Sequence, residues 1–358
     1  MTDNLYYDAI DLLKSLISHP SISREEKEAA DILETFANNN MLGNISRIGN
    51  NIIVTPTGFD STKKTILLNS HIDTVKPVPG WTREPYSPDI DYENERLYGL
   101  GSNDAGASLV SLAAAYRYLA ETEQNYNLIF VASAEEEVSG KGGIESVIPT
   151  LPHIDFAIVG EPTGMQPAIA EKGLMVLDGE VTGVSGHAAR NEGVNAIYRA
   201  MPVISLLSQM QLPKTSTLLG DVKISVTQIN AGTQHNVVPE SCKFVVDVRT
   251  TDAYSNIETL SIIQRAVEPF GATLEPRSTR LNPSSIDDSH PVISRLKMLG
   301  KTPFGSSTLS DQALMPWSSL KIGPGDSARS HTADEFIVLD EIRDAIETYI
   351  RTLDKLYF

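Results

Sequence analysis

Histidine and carboxylate side chains recur in this sequence where apolar runs end. The run KTILLNS leads directly into His-x-Asp, and NLIFVAS is soon followed by three adjacent glutamates. Ligand sites in open α/β sheets gather at the carboxyl ends of the strands, so groups distant in the chain can converge there. The residues of this kind are His71, Asp73, Asp104, Glu135, Glu136, Glu137, Glu161 and His331. Five ligands drawn from this list, two histidines and three of the carboxylates, would suit two divalent ions, zinc or cobalt.

Single members of this set have ordinary explanations. Asp104 could cap a helix N-terminus, and Glu161 in GEPT could be a turn residue. The adjacent glutamates, however, would repel one another unless a cation or a shared proton relieved them. His71 and Asp73 point to the same side of an extended chain, so Asp73 could hold the imidazole from behind. It is the combination that predicts a metal site.

The elements that must position these residues are short strands and a long helix. Continuously apolar runs at 51–56, 64–70, 127–133 and 156–160 predict strands that are covered on both faces. A helical pattern over 106–122 lies between the second and the third of them, so strand and helix alternate. The sequence therefore predicts an α/β domain with a mixed central sheet flanked by helices.

Helical patterns also occur at both ends of the chain. The first covers about 4–18. Ser23 followed three residues later by Glu26 is a capping box, which predicts that a second helix opens there. PVISRLKMLG, a strand-like SSLKIG and the closing helical pattern LDEIRDAIETYIRTLDKLY return the chain to the first domain.

The pattern changes after about residue 173. Apolar and polar residues alternate in MVLDGEVTGV and VKISVTQINA, as they do in strands that are wet on one face. Helical patterns at 194–210 and 256–268 separate such strands, which predicts an inserted α+β sandwich in the order βαββαβ. We therefore expect a first domain of residues 1–173 and 282–358, interrupted by a second domain of residues 174–281.

Composition limits the classes of protein. A chain of 358 residues is longer than one core usually serves, in line with two domains. The formal net charge of -17 opposes binding to a polyanion, so we expect no nucleic-acid partner. No apolar run approaches the roughly 18 residues of a membrane span, and the first residues lack a basic leader. With the single cysteine, Cys242, these features predict a cytoplasmic protein without membrane association.

The motifs resemble, in this order, those of the metal-dependent deacylase and aminopeptidase family that includes acetylornithine deacetylase, succinyl-diaminopimelate desuccinylase, aminoacylase and carboxypeptidase G. They are SHIDTV, GLGSNDAG, AEEEVSG, GEPTG and SHTADEF. The similarity extends over essentially the whole chain. The resemblance implies an amidohydrolase that uses two divalent metal ions, zinc or cobalt.

The resemblance also implies a role for each residue of the metal site. The implied ligands are His71, Asp104 and Glu161 for one ion, and Asp104, Glu137 and His331 for the other. Asp104 would bridge the two ions, and Asp73 would orient His71. The three adjacent glutamates leave the register open. With Glu135 in the family's aspartate position, Glu136 becomes the general base.

The inserted domain resembles the family's lid and dimerisation domain. By this resemblance, His187 in GVSGHAAR would reach the active site of the neighbouring subunit of a homodimer. Asn236 and Arg249 would hold the carboxylate of the substrate. Two positions depart from the family's pattern: Ala105 stands where a lysine or aspartate often follows the bridging aspartate, and Arg190-Asn191 stand where a residue and a proline often follow Gly-His-Ala-Ala. The second departure leaves the substrate specificity open.

The function that the resemblance implies is hydrolysis of the amide bond of an N-acyl amino acid, a small-molecule substrate. The preferred substrates are N-acetylornithine and N-succinylornithine, whose deacylation serves arginine biosynthesis. Succinyl-diaminopimelate desuccinylase and dipeptidase or aminopeptidase activities are alternatives, because all these substrates present an amide bond to the same metals. A non-catalytic protein that binds metal or amino acids is the alternative of a different class.

Overall fold

The computed structural model of the protein describes residues 2–358 and divides into two compact units. The first contains the chain up to Ile169 with Ser285–Phe304 and Ser310–Phe358, and the second contains Ala170–Ser284 with Gly305–Leu309. The short segment 305–309, which the sequence assigns to the first domain, clusters with the second unit. There the N–H of Lys172 donates to the carbonyl oxygen of Ser306 at 3.2 Å.

The helices and strands are numbered in chain order. The α-helices are α1 (Thr2–Ile17), α2 (Lys27–Asn40), α3 (Ala107–Ala120), α4 (Ile144–Val147), α5 (Ala196–Gln209), α6 (Asn256–Val267), α7 (Pro291–Met298) and α8 (Leu339–Leu353). The strands are β1 (Asn44–Ile48), β2 (Asn51–Thr55), β3 (Lys64–His71), β4 (Asp89–Asp91), β5 (Arg96–Tyr98), β6 (Tyr126–Ser133), β7 (Phe156–Val159), β8 (Ala168–Glu171), β9 (Gly173–Thr182), β10 (Gly186–His187), β11 (Lys223–Ala231), β12 (Val237–Val238), β13 (Ser241–Thr250), β14 (Ala272–Pro276), β15 (Ser284–Ser285), β16 (Phe304–Ser306), β17 (Ser318–Lys321) and β18 (Phe336–Val338). Among the helices of residues 2–358, none combines the length and the apolar character needed to span a membrane.

A mixed sheet runs through the first unit in the strand order β1-β2-β6-β3-β7-β17. β3 is parallel to both of its neighbours, β6 and β7, whereas β2 joins β6 in the antiparallel direction. Ile66 and Leu68 of β3 belong to the core that contains residues of α1, α3 and α8, while Leu67 belongs to the core that contains residues of α4. Both faces are therefore covered, which explains why these strands are continuously apolar.

The carboxyl ends of β3, β6 and β7 meet at one edge of this sheet because the three strands are parallel. β3 ends at His71, β6 at Ser133 and β7 at Val159. The short segments that follow these strands are thus delivered to the same place. The predicted α/β class with a mixed central sheet is confirmed.

The second unit contains an antiparallel sheet in the order β11-β13-β9-β14. Leu177 and Phe244 of this sheet share a core with Ala200 of α5 and Ile263 of α6. Residues of the opposite face, such as Lys243, are exposed, which accounts for the alternating pattern. The chain order of strands and helices is the predicted βαββαβ. Strands β10 and β12 pair as a separate two-stranded ribbon.

Two features differ from the sequence-based expectation. The short strands β4, β5 and β18 form a separate sheet that was not predicted, since three residues are too few to show a period. The predicted capping box does not form. Helix α2 begins at Lys27, and Glu26, its N-cap residue, makes no side-chain hydrogen bond that caps the helix. The hydroxyl of Ser23 donates instead to Asp73 at 2.7 Å. Both side chains of the supposed box are used in tertiary contacts.

Candidate metal centre

Five backbone segments supply candidate ligands at the carboxyl edge of the central sheet. Three of them follow parallel strands: His71 ends β3, Glu137 follows β6 and Glu161 follows β7. Asp104 lies in the turn that precedes α3, and the peptide bond after it is cis. His331 lies between β17 and β18. These residues are widely spaced in the sequence, so only the fold brings them together.

Asp104 lies between the two histidines. The Nε2 atom of His71 is 3.3 Å from Oδ1 of Asp104, and the Nε2 atom of His331 is 3.6 Å from Oδ2. On the first side, Oε1 of Glu161 is 3.8 Å from Nε2 of His71. On the second side, Oε2 of Glu137 is 3.0 Å from Nε2 of His331. The structure thus brings together the five residues that the sequence proposes as ligands, with Asp104 in the middle.

Two overlapping groups of side chains are each close enough to hold an ion. The ligand atoms of His71, Glu136 and Glu161 lie within 4.8 Å of one another, and so do those of His71, Asp104 and Glu137. Imidazole nitrogens and carboxylate oxygens are the ligands that zinc and cobalt accept. The residues present therefore fit divalent ions. His71 belongs to both groups and His331 to neither, so these groups differ from the two ligand sets that the resemblance implies. Glu136, expected to act as a base, lies within reach of one of these positions.

Titratable groups in this cluster strongly shift one another's pKa values. Burial and nearby carboxylates raise the pKa of Glu136 well above its ordinary value. Burial opposes the charged form of His71, yet hydrogen bonding to Asp104 raises the pKa of this imidazole well above its usual range. Hydrogen bonding to Glu137 raises the pKa of His331 to about 9. In the metal-free protein, bound protons thus offset the negative charge of the clustered carboxylates. Divalent cations would displace these protons and offset the same charge.

Asp73 supports the site with its backbone and its side chain. The Nδ1 atom of His71 is 2.9 Å from the backbone carbonyl oxygen of Asp73 and 3.5 Å from its carboxylate. With the proton on Nδ1, the ring donates to this carbonyl and leaves Nε2 as the ligand atom. The Asp73 carboxylate accepts the backbone N–H groups of Glu136 and Glu137 at 3.0 and 3.1 Å. His71 is therefore closer to the backbone of Asp73 than to its carboxylate. The carboxylate of Asp73 holds the turn of residues 134–137, called the glutamate turn below.

The structure separates the three adjacent glutamates. Glu135 has a φ of 55°, and its carboxylate accepts the N–H of Gly142 at 3.3 Å. A Cβ atom at Gly140 or Gly142 would clash with this carboxylate, so the glycines of SGKGG leave room for it. Glu136 and Glu137 lie among the candidate ligands instead. This arrangement sets Glu135 apart from the candidate ligands, while the roles of Glu136 as the base and Glu137 as a ligand stay predictions.

Glu335 is a buried carboxylate that the sequence reasoning missed. It accepts the backbone N–H groups of Gly101, Asn103 and Asp104 at 3.0, 2.9 and 2.9 Å. Burial raises its pKa to about 8. Its place four residues after His331 was visible in SHTADEF, but no sequence period marks a carboxylate that binds backbone amides. Glu335 fixes the turn that carries the central ligand.

Asp311 is a second buried acid without a sequence signal. The hydroxyl of Ser133, the last residue of β6, donates to its Oδ2 atom at 2.5 Å. Burial raises the pKa of Asp311 to about 6, against an ordinary value of 3.8. This carboxyl therefore braces the end of the strand that leads into the glutamate turn.

The remaining candidate residues lie in the second unit. His187 ends β10, and Asn236 directly precedes the paired strand β12. The backbone carbonyl of Asn236 accepts the N–H of Ala188 at 3.1 Å, so this ribbon brings the two candidates together. Arg249 in β13 donates two hydrogen bonds to Asp247, at 2.9 and 3.1 Å. The roles of these residues toward a substrate stay predictions.

Solved structures of peptidases share this fold along almost the whole chain. An aminopeptidase from Bacillus cereus has a TM-score of 0.76 at 17% identity, with 98% of each chain covered. A dinuclear metal binding peptidase from Bacillus subtilis has a TM-score of 0.75 at 16% identity, again with 98% of each chain covered. Such identities establish the fold, and the ligand cluster adds the chemistry. The class that both define is that of the metal-dependent hydrolases.

The sequence identifies the family within this class. The profile of Peptidase family M20/M25/M40 matches residues 67–355, which include every candidate ligand from His71 to His331. The chain belongs to this family. It is 27% identical to acetylornithine deacetylase from Proteus mirabilis, over 92% of this chain and 91% of that protein. It is 28% identical to acetylornithine deacetylase from Klebsiella pneumoniae, over 92% of both. The family resemblance inferred from the motifs is confirmed.

Proposed function

We propose that the protein hydrolyses the amide bond of an N-acyl amino acid, with N-acetylornithine or N-succinylornithine as the substrate. The observation that carries this proposal is the convergence of Asp104 with His71 and His331, with Glu136 beside them. The relatives named acetylornithine deacetylase match almost the full length of this chain and of their own, which supports the substrate class. Release of ornithine would place the reaction in arginine biosynthesis.

Two divalent ions, zinc or cobalt, are part of the proposal. His71, Asp104 and Glu161 would hold one ion. Asp104, Glu137 and His331 would hold the other, so that Asp104 is shared. When bound, such ions polarise an amide carbonyl and lower the pKa of water at the site.

Glu136 carries the proton in the proposed mechanism. Its carboxylate lies beside the ligands but completes neither of the two proposed ligand sets. It can therefore accept the proton of the attacking water and later donate it to the departing amine. The hydrogen bond from its backbone N–H to Asp73, at 3.0 Å, fixes the turn from which the side chain extends. Pre-positioning of this kind lowers the barrier because less freedom is lost during the reaction.

Residues of the second unit would bind the rest of the substrate in a homodimer. His187 would donate a hydrogen bond to the oxyanion that forms on the carbonyl. Asn236 and Arg249 would hold the α-carboxylate. Arg249 already pairs with the carboxylate of Asp247 through two hydrogen bonds, so a substrate carboxylate would replace a chemically equivalent partner.

Cleavage of short peptides is the second candidate function. The solved structures that share the fold include an aminopeptidase and a dinuclear metal binding peptidase. A dipeptide presents the same amide bond to the same ligands and the same base. The two functions differ in the group on the carbonyl side of the bond that is cleaved: an acetyl or succinyl group carries no charged amine, whereas the first residue of a dipeptide does.

A substrate panel tests both candidates. The zinc- or cobalt-loaded protein is incubated with N-acetylornithine, N-succinylornithine, succinyl-diaminopimelate and dipeptides, with and without a chelator, and products are detected by mass spectrometry. We expect free ornithine from one of the first two substrates, and none in the presence of chelator. Turnover of dipeptides alone would transfer the assignment to the second candidate. Protein that retains two ions and hydrolyses no member of the panel would contradict a hydrolytic function.

A further inference from the structure

Glu26 is a buried carboxylate next to the turn that carries Glu136. The residue is 0% exposed and makes no helix cap. Its Oε1 atom accepts the backbone N–H of Glu135 at 3.3 Å and also that of Arg24. Its Oε2 atom accepts a hydrogen bond from Asn50 at 2.9 Å. A buried carboxylate is costly unless hydrogen bonds satisfy it, so these donors account for its location.

The glutamate turn is held through its backbone N–H groups. The backbone N–H groups of its four residues, 134–137, each donate to a side chain from another part of the first unit. The pairs, in chain order, are Ala134 with Asn51 at 2.9 Å, Glu135 with Glu26 at 3.3 Å, and Glu136 and Glu137 with Asp73 at 3.0 and 3.1 Å. The path of the turn is thereby fixed without using the carboxylates that lie among the candidate ligands.

Ser23 connects the segment of Glu26 to the other carboxylate that holds this turn. Its hydroxyl donates to Oδ2 of Asp73 at 2.7 Å. The backbone N–H of Thr74 donates to the carbonyl of Ser21 at 2.9 Å, and the N–H of Ser23 donates to the carbonyl of Thr74 at 3.3 Å. The segment 21–26 therefore runs beside the chain that follows β3. It supplies one acceptor of the turn, Glu26, and bonds to another, Asp73.

We infer that Ser23 and Glu26 are positioning residues for Glu136, Ser23 through Asp73 and Glu26 through the N–H of Glu135. This inference rests on the proposed function, because it takes Glu136 to be the group that moves the proton. A proton-transfer group must lie within hydrogen-bond reach of its partner, and a displacement of about 1 Å can lower a rate on the order of 100-fold. Ser23 and Glu26, whose spacing resembles a capping box, thus position the glutamate turn and do not cap a helix.

Glu26→Gln tests this inference with little change of shape. An amide has one oxygen, so its NH₂ group must face either Asn50 or the backbone donors of Arg24 and Glu135, and at least one hydrogen bond is lost. The hydrogen bonds that remain are also weaker, since the acceptor is no longer charged. We expect kcat to fall by about 10-fold or more, the usual effect of removing a partner that orients a metal site. KM is expected to stay within about twofold, because the substrate contacts are retained. The variant and its control are assayed at saturating metal, because the same turn carries the proposed ligand Glu137.

Glu25→Gln is the matched control, because Glu25 is adjacent in sequence and exposed. Its kcat should equal that of the wild type. Amide hydrogen exchange of the metal-loaded protein supplies a readout that needs no substrate. The amides of residues 134–137 should exchange faster in Glu26→Gln than in Glu25→Gln, while amides of the central strands should not change. This measurement decides the inference even if the substrate panel shows no turnover.

Equal exchange at residues 134–137 in Glu26→Gln and Glu25→Gln would overturn the inference, and so would equal kcat values. If Glu26→Gln does not fold, Ser23→Ala takes its place, because that change removes a single hydroxyl that is bonded to Asp73. Faster exchange at 134–137 with a lower kcat in Ser23→Ala supports the inference. Wild-type values in Ser23→Ala would refute it.

Discussion

Glu136 and Glu137 share a turn but have different surroundings. The carboxylate of Glu137 is 3.0 Å from Nε2 of His331, within a candidate ligand set. That of Glu136 lies near His71 and Glu161, where burial raises its pKa. Because both backbones are fixed by Asp73, the difference comes from the direction in which each side chain leaves the turn. Equivalent substitutions at the two positions should therefore have different effects.

Glu136→Gln should retain both metal ions and lose activity. The amide keeps the size of the side chain but cannot accept the proton of water, so kcat should fall by about 100-fold or more. Metal analysis by mass spectrometry and steady-state kinetics check this expectation. Glu137→Gln is the comparison, and it should lose metal as well as activity. Near-normal turnover by metal-loaded Glu136→Gln would contradict the assignment of the base.

Asp311 makes stability depend on pH. Its folded-state pKa of about 6 exceeds the ordinary 3.8, so its protonated form favours folding. This contribution is present at low pH and is lost as the pH rises through about 6. A difference of about 2 pKa units corresponds to about 3 kcal/mol. In metal-free protein, Asp311→Asn should therefore gain stability relative to the wild type as the pH rises from about 4 to about 6, and keep a constant advantage above that range, as measured by denaturant unfolding. A difference that does not vary with pH would argue against this role.

At the scale of elements, the turns that carry Asp104 and Glu137 are held in the same way. Buried carboxylates accept the backbone N–H groups of the segments that carry the ligands. Glu335 does so for the turn before α3, Asp73 for the turn after β6, and Glu26 joins it there. His71 is the last residue of β3, whereas β6 and β7 end before Glu137 and Glu161. Asp73 and Glu26 therefore position backbone that lies beyond the end of β6.

Glu335→Gln should weaken metal binding at the element that carries Asp104. The amide of Gln offers one acceptor oxygen in place of two, so it cannot keep all three hydrogen bonds that hold this turn, and metal affinity should fall by about 10-fold or more. Competition with a chelator of known affinity measures the change. Glu347→Gln, at an exposed position of α8, is the control and should bind metal like the wild type. An unchanged affinity in Glu335→Gln would show that the turn holds its shape without this carboxyl group.

The sequence predicts the strands and the ligands better than it predicts their supports. Continuous apolar runs identify β3, β6 and β7, and the polar residues after them identify the ligands. Glu26 and Asp311 have no such signal, because the partners of a buried carboxylate are set by tertiary contacts. Ser23 and Glu26 even satisfy the spacing of a helix cap. Local spacing cannot show that their acceptors and donors belong to segments far along the chain.

At the scale of the whole molecule, the two units have separate hydrophobic cores. The candidate ligands lie in the first unit, and His187 lies in the second. The resemblance to the family implies that His187 serves the neighbouring subunit of a homodimer. A mixture of two inactive variants can therefore test both the dimer and the role of His187.

His187→Ala and Glu136→Gln should each be nearly inactive alone. In a mixed dimer, one active site would combine an intact metal centre with an intact His187 from the other subunit. That site should recover activity, up to about half of the wild-type value per mixed dimer if the two sites act independently. Kinetics of verified mixed dimers, separated by two affinity tags, measure the recovery. No recovery in such dimers would argue against action between subunits.

The spacing of the ligands along the chain has a consequence for how the protein matures. His71, Asp104 and Glu161, the proposed ligands of one ion, all precede the inserted unit, whereas the set of the other ion is completed only by His331, which follows that unit. A chain emerging from the ribosome therefore offers the first set before the inserted unit is synthesised and the second set only after it. The second ion can then be captured only after both units have been synthesised, unlike the ion of small zinc domains that fold around their metal.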